Sequence, residues 1–320
     1  MRGLVLRGSR NVFTLRTETG GELECRIKGK ILKGVEGCHN PLAPGDHVLA
    51  EEDPALPGKG LIIALEERRN LLSRINQKGL DRRGTGASQL LAANVDLALC
   101  VATPASPPWR PRFMDRLLLQ ADAAGIEALI ICNKWELAGD DPDVDERLED
   151  YRRIGYEVLR VSVHTGLGMA ALKERLAGKR SVLAGQSGVG KSSIINALLG
   201  EARLRVGGLN EKYDRGNHTT AMSALLEFPG GPGGLIDTPG IRRLTPDGIA
   251  PEDLLVSLRE FAPLAGKCSF GLSCSHQSEP GCKVLEAVAA GVIHEDRYQS
   301  FLRIREELQS PGGAGAAPYR

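Results

Sequence analysis

The chain has 320 residues, with 41 Lys and Arg against 40 Asp and Glu, a formal charge of +1, and seven cysteines. With 42% hydrophobic and 25% charged residues it can bury a core, which excludes a chain disordered throughout. No apolar run approaches the ~20 residues that span a bilayer, and the length exceeds what a single core usually serves, so a membrane protein is excluded and several domains are predicted.

The opening MRGLVLRGSRNVF has no continuous apolar signal region. An odd number of cysteines argues against a fully paired disulfide framework, so a reducing, cytoplasmic location is predicted. The neutral total hides an uneven distribution. Residues 1–85 hold 15 basic and 11 acidic side chains, whereas residues 246–320 hold 7 and 10. The front of the chain is therefore basic and its end acidic.

In residues 1–69, short runs with partial alternation (Val12–Arg16, Gly21–Ile27, His47–Ala50 and Leu61–Leu65) are punctuated by Gly, Pro and Asn. This pattern predicts a small β-barrel, of either OB-like or SH3-like type. Residues 70–88 are polar, basic and glycine-containing. They read as a linker, or else as a loop whose Arg74, Lys78, Arg82 and Arg83 reach RNA phosphates.

From residue 89 the texture changes. Val95–Ala102, Ile126–Cys132, Val158–Val163 and Ser181–Ala184 read as buried strands, separated by helical patterns near 111–124, 143–154 and 168–177. That rhythm predicts βαβ units and a parallel sheet over residues 89–245, with Ala221–Phe228 and Gly234–Ile236 as two further strands. Residues 246–308 read as mainly helical around a Cys/His cluster, and 309–320 as a disordered tail.

Along this α/β region the first chemical motif is Asn133-Lys134-Trp135-Glu136, at the end of an apolar run. It resembles the guanine-reading N-K-x-D motif with Glu in place of Asp. A carboxylate there accepts from both guanine N1–H and the 2-amino group, a pattern adenine cannot supply. Glu is one methylene longer, so the base or the loop must shift slightly. Ser162-Val163, after the strand-like Val158–Val161, occupies the place of the S-A backbone contact to the guanine carbonyl.

Gly185-Gln186-Ser187-Gly188-Val189-Gly190-Lys191-Ser192 fits G-x-x-x-x-G-K-[ST] between an apolar strand and a helix beginning near Ser193. Its glycines let backbone N–H groups wrap phosphates, and the helix N-terminus adds a favourable dipole. Lys191 is placed to reach the β- and γ-phosphates and the Ser192 hydroxyl to ligate Mg²⁺. Gly216-Asn217-His218-Thr219-Thr220 follows, where a first switch belongs, and Thr220 is the candidate second hydroxyl on Mg²⁺. Asp237-Thr238-Pro239-Gly240 supplies the strand-end acid of the Mg²⁺ site and a glycine N–H for the γ-phosphate. After Gly240 comes Ile241, where many GTPases carry a water-orienting Gln, so slow intrinsic hydrolysis is predicted, with His218 as candidate catalytic residue.

The base-reading loop precedes the phosphate loop, the reverse of the conventional GTPase order. The α/β region therefore reads as a circularly permuted P-loop GTPase domain. Its second switch runs directly into the C-terminal domain.

Cys268, Cys274, His276 and Cys282 form C-x5-C-x-H-x5-C. Three thiolates and an imidazole suit one tetrahedral, closed and hence structural Zn²⁺. Cys25, Cys38, Cys100 and Cys132 have no spaced partners and read as small core residues.

A barrel-like start, a permuted GTPase with GQSGVGKSS, HTT and DTPG, and a following Cys/Cys/His/Cys cluster resemble the ribosome small subunit-dependent GTPase A family over nearly the whole chain. The resemblance implies an N-terminal OB-fold and hydrolysis of GTP to GDP stimulated by the small ribosomal subunit. It also implies a role late in that subunit's maturation, ribosomal RNA contacts by the barrel and the zinc domain, and His218 as the switch histidine. Glu136, Val163 and the five-residue spacing between Cys268 and Cys274 depart from the family's usual Asp, Ala and four. None removes a required functional group. The chain is predicted to act as a monomer without a membrane partner. The competing readings are an RNA-binding nucleotide switch with negligible turnover and an ATP-using P-loop enzyme, against which N-K-W-E argues.

Overall fold

The computed structural model describes residues 1–9, 11–29, 40–80, 86–139, 142–200, 223–238 and 246–309. Strands β1 (Arg2–Ser9), β2 (Val12–Thr17), β3 (Glu22–Ile27), β4 (His47–Glu52) and β5 (Lys59–Leu65) follow the order β1-β2-β3-β5-β4, and a β1–β4 pairing closes the ring. The β3–β5 pairing is parallel and the others antiparallel. This is the closed five-stranded OB barrel, which decides between the two barrel types left open by the alternation pattern. Every second residue of β3 points inward, and Val5, Phe13, Leu15, Leu23, Cys25 and Ile62 fill the interior.

β1 has no counterpart among the four strand-like runs of the sequence. Its alternation is diluted by Gly3 and Gly8, both of which face packed side chains of β2. A Cβ on Gly3 would stand 3.1 Å from the Leu15 side chain, and one on Gly8 would stand 2.1 Å from the Phe13 ring. The register of β1 shifts between Val5 and Arg7, and beyond that shift Arg7 pairs with Ala224 of the main sheet. One strand thus serves both the barrel and the nucleotide-binding domain.

The segment 70–88, expected as a linker, instead supplies most of a β-hairpin. Strands β6 (Leu71–Leu80) and β7 (Gly86–Ala93) pair antiparallel as a separate two-stranded sheet. Its polar composition conceals the strands because only the base is apolar. Leu72, Leu91 and Ala92 enter the domain core, where Leu6 of the barrel joins them.

The central sheet runs β10 (Glu157–Arg160), β9 (Glu127–Cys132), β8 (Leu97–Ala102), β11 (Arg180–Gly185) and β13 (Gly234–Asp237), all parallel, and ends in the antiparallel β12 (Ala224–Glu227). Buried on both faces, the inner strands carry continuous apolar stretches (Leu97–Ala102, Ala128–Cys132 and Val182–Ala184), as parallel strands require. Helices α1 (Pro111–Ala123) and α2 (Pro142–Arg153) cover one face through Met114, Leu118, Leu148 and Tyr151. Helices α3 (Met169–Leu176) and α4 (Lys191–Leu199) cover the other through Leu172, Leu176, Ile194 and Leu198.

Turns around the Cys/His cluster, α5 (Lys283–Ala289) and α6 (Glu295–Gln309) form the C-terminal domain. Its core of Leu254, Leu258, Phe261, Phe301 and Ile304 admits Leu119 of α1. Of the predicted tail, Gln309 closes α6, and residues 310–320 lie outside the described residues.

The contact between α1 and α6 is also ionic and dry. Arg297 is 2% exposed and donates to Asp115 at 2.8 Å and to both oxygens of Glu260, while Asp115 also accepts from Tyr151 and Ser300. Arg116, 1% exposed, pairs with Glu307. Flanking this pair of helices, Arg259 binds both oxygens of Asp122 and stacks on Tyr156, whose hydroxyl shares Asp122. Removing one member of a buried pair leaves the others charged in a place water cannot reach. Arg297→Met is expected to lower the opening free energy of α6 by about 3–5 kcal/mol, read as lost amide-exchange protection in Glu295–Gln309.

Candidate nucleotide site and metal centre

The parallel sheet brings the loops after β9, β10, β11 and β13 to one edge. The phosphate loop leaves β11 at Gly185, and a Cβ there would stand 2.4 Å from the Val101 carbonyl on the neighbouring β8. Ser187 and Gly188 are exposed at the crest, Gln186 is half-buried, and Val189 turns back into the core. Gly190 caps α4 with φ +92, a left-handed conformation open to glycine, and Lys191, Ser192 and Ser193 form its half-buried first turn.

Asn133 locks the base-side loop onto this turn. It is 2% exposed, its Nδ2 donates to the Val189 carbonyl at 2.8 Å, and a Cβ on Gly190 would stand 2.3 Å from that nitrogen. The same contact explains two glycine-loop features at once: Val189 must present its carbonyl, and residue 190 must lack a side chain. Lys134 takes a left-handed conformation and donates to the Ser106 carbonyl at 2.7 Å. Trp135 receives the Arg160 guanidinium at 4.6 Å from its ring, which fastens the loop to β10.

Glu136 is exposed, and a hydrogen bond from Ser162 holds its carboxyl below the usual range, so it is an acceptor at neutral pH. Ser162 is fully buried, and its Oγ also accepts from Thr165 N at 3.0 Å.

Asn133, Lys134, Glu136 and Val163 line one cavity of about 870 Å³ together with Gly190 and Ser193. His164, Asn196, Ala197 and Gly200 complete its wall and were not singled out from the sequence. Asn196 and Ala197 follow Ser193 at helical spacing on one face of α4, a periodicity that was available for reading, and Gly200 caps that helix.

The other half of the site gathers around Lys191. Its Nζ donates to the Gly185 and Gln186 carbonyls, both at 2.8 Å. Asp237 ends β13 directly across from Leu183 in register, is 8% exposed, and interacts with Lys191. Burial lowers the Lys191 pKa and raises that of Asp237, and each opposes the shift of the other. His218, Thr220 and Gly240 lie outside the described residues, as does Cys38. Burial raises the Cys25, Cys100 and Cys132 thiols to about 11, 12 and 12, consistent with inert core residues.

In the C-terminal domain Cys268, Cys274, His276 and Cys282 are all buried, with their donor atoms within 4.8 Å of one another. Cys268 and Cys282 sulphurs are 3.9 Å apart, and His276 Nδ1 lies 3.5 and 3.4 Å from them. A tetrahedral zinc ion sets ligand spacings of about 3.8 Å between sulphurs and about 3.5 Å between sulphur and nitrogen. The Cys3His set can hold a zinc ion. Tyr298 on α6 donates to the His276 carbonyl at 2.7 Å, tying the cluster to the helix that meets α1.

A family model described as RsgA GTPase matches residues 65–246. A protein of Chlorobaculum parvum named small ribosomal subunit biogenesis GTPase RsgA is 36% identical, over 96% of this chain and 98% of its own. The crystal structure of YjeQ from Thermotoga maritima superposes with a TM-score of 0.72 at 33% identity, covering 96% of this chain and 98% of that one. That of YloQ, titled a circularly permuted GTPase, has the same fold at 24% identity with a TM-score of 0.67, covering 96% and 94%. With its permuted order of base loop and phosphate loop, its OB barrel and its Cys3His cluster, the chain belongs to the RsgA GTPase family and is a GTP hydrolase.

Proposed function

We propose that the chain is a cytoplasmic, monomeric factor that binds the small ribosomal subunit and acts late in its maturation, hydrolysing GTP to GDP and phosphate when the subunit engages it. The observation that carries this reading is the single cavity shared by Asn133, Lys134, Glu136 and Val163 of the base side and Gly190 and Ser193 of the phosphate side. The relatives' name supplies the assembly partner.

In this reading Glu136 accepts from guanine N1–H and the 2-amino group, with the Ser162-Val163 segment beside the carbonyl. The backbone from Gly185 to Gly190 wraps the phosphates with Gln186, Ser187, Gly188 and Val189. Lys191 neutralises the β- and γ-oxygens, and Ser193 packs at the helix start. Burial of Lys191 beside Asp237 removes water from both and strengthens their fields on incoming charge. Ser192 and Thr220 would hold Mg²⁺, with Asp237 as the acid behind that ion; the metal would supply charge neutralisation at the phosphates, and Gly240 would donate to the γ-phosphate. His218 is the residue assigned to the attacking water. The Cys3His cluster holds one structural zinc, with no ligand position left for water. The barrel and the zinc domain contact ribosomal RNA.

Comparison of GTP turnover with and without purified small ribosomal subunits tests the central claim. Stimulation of at least tenfold is expected, and none would defeat the ribosomal assignment. Lys191→Ala is expected to abolish GTP binding by equilibrium dialysis, and competition should favour GTP over ATP. Gly190→Ala forces a Cβ onto Asn133 at a positive φ, so GTP affinity should fall by at least about tenfold, with the fold retained by circular dichroism. Metal analysis should return one zinc per chain, and Cys274→Ser should lose it along with exchange protection in Lys283–Ala289.

A further inference from the structure

The turn that follows β8, residues 103–107, lies between the motifs of the sequence and touches both halves of the site. Thr103 is 1% exposed, and its hydroxyl donates to the Pro107 carbonyl at 2.5 Å, closing the turn on itself. The Ser106 carbonyl within that turn accepts from Lys134 Nζ at 2.7 Å. On its other side the turn abuts the crest of the phosphate loop, where a Cβ on Gly188 would stand 3.6 Å from Pro107 Cδ. Behind these contacts Thr103 and Trp109 face Gln186 and Val189 across a cavity of only about 10 Å³, so the turn has little room to shift inward.

Lys134 depends on that carbonyl for its course. Its Cε lies 4.0 Å from the Cβ position of Gly190, so its stem crosses the start of α4 between the base loop and the turn. It is also part of the wall of the shared cavity. A free lysine side chain samples many rotamers, and a wall that samples them is ordered only at a cost in ligand affinity. An acceptor fixed beforehand removes that cost. What fixes it is Thr103, whose hydroxyl holds the carbonyl one residue further along the turn.

We propose that Thr103 is a positioning residue for nucleotide binding: it holds the Ser106 carbonyl where Lys134 needs it and so preorganises one wall of the cavity. The contact meets no reacting atom and serves bound GDP and bound GTP equally. It therefore sets the affinity for both, in KM rather than in kcat. This rests on the reading of the shared cavity as the guanine-nucleotide site.

Dissociation constants of the full chain for GDP and for a non-hydrolysable GTP analogue, together with single-turnover hydrolysis at saturating GTP, test the assignment. Thr103→Val keeps the shape of the buried side chain and loses the hydroxyl. It should weaken both nucleotides by the same factor, about five- to tenfold, with the single-turnover rate within about twofold of the wild type. Thr103→Ser, which keeps the donor, should bind within about twofold of the wild type. A double-mutant cycle with Lys134→Met, which keeps the stem, separates positioning from a general loosening of the fold. Once the ammonium is gone, Thr103→Val should weaken binding by less than about twofold more. Wild-type affinity in Thr103→Val, an equal loss in Thr103→Ser, or the full loss repeated on the Lys134→Met background overturns the proposal. So does a fall in the hydrolysis rate with affinity kept. A wild type that binds neither nucleotide overturns the functional reading itself and the proposal with it.

Discussion

In a parallel sheet every strand ends on the same edge, and that constraint organises this molecule. The ends of β9, β10, β11 and β13 deliver Asn133, Ser162, the phosphate loop and Asp237 to one rim, whatever order the chain visits them in. Permuting the order of the motifs therefore leaves the rim chemically complete. What the permutation changes is the set of connections. The strand carrying Asp237 is the last of the sheet, and the chain after it is free to become the C-terminal domain.

Two small contacts make the rim a single object. Asn133 binds the carbonyl of Val189, which ties the loop after β9 to the phosphate loop. Thr238 donates to the Leu183 carbonyl, which fastens the end of β13 to β11. α1 then carries the connection outward, with Gln120 on Asp247 and with Asp115 and Arg116 on the C-terminal helix. The Cys3His cluster is connected to that C-terminal helix through Tyr298, so its order bears on an interface as well as on a loop.

The features legible in the sequence were those whose chemistry or burial is local. The phosphate loop declares itself by glycines, Lys191 and Ser192 in a row, the cluster by its four ligands, and the parallel strands by runs buried on both faces. β1 was not legible, because the glycines that let it pass under Leu15 and Phe13 break its alternation. The hairpin was hidden because part of what holds it lies far away in sequence: Asp247 reaches Ser73 and Ser88. The ionic network was equally silent. Asp115 and Arg297 are ordinary charged residues until the fold sets them against each other in a dry contact, and no spacing rule links them.

That contact has a thermal consequence. The free energy of hydrating a charged group becomes less favourable as temperature rises, so the penalty for keeping Arg116, Arg297, Asp115 and Glu307 out of water shrinks on warming. Apolar burial in the neighbouring cores gains little over the same range. The union of the C-terminal domain with the GTPase domain should therefore hold its strength with heat better than the apolar packing on either side.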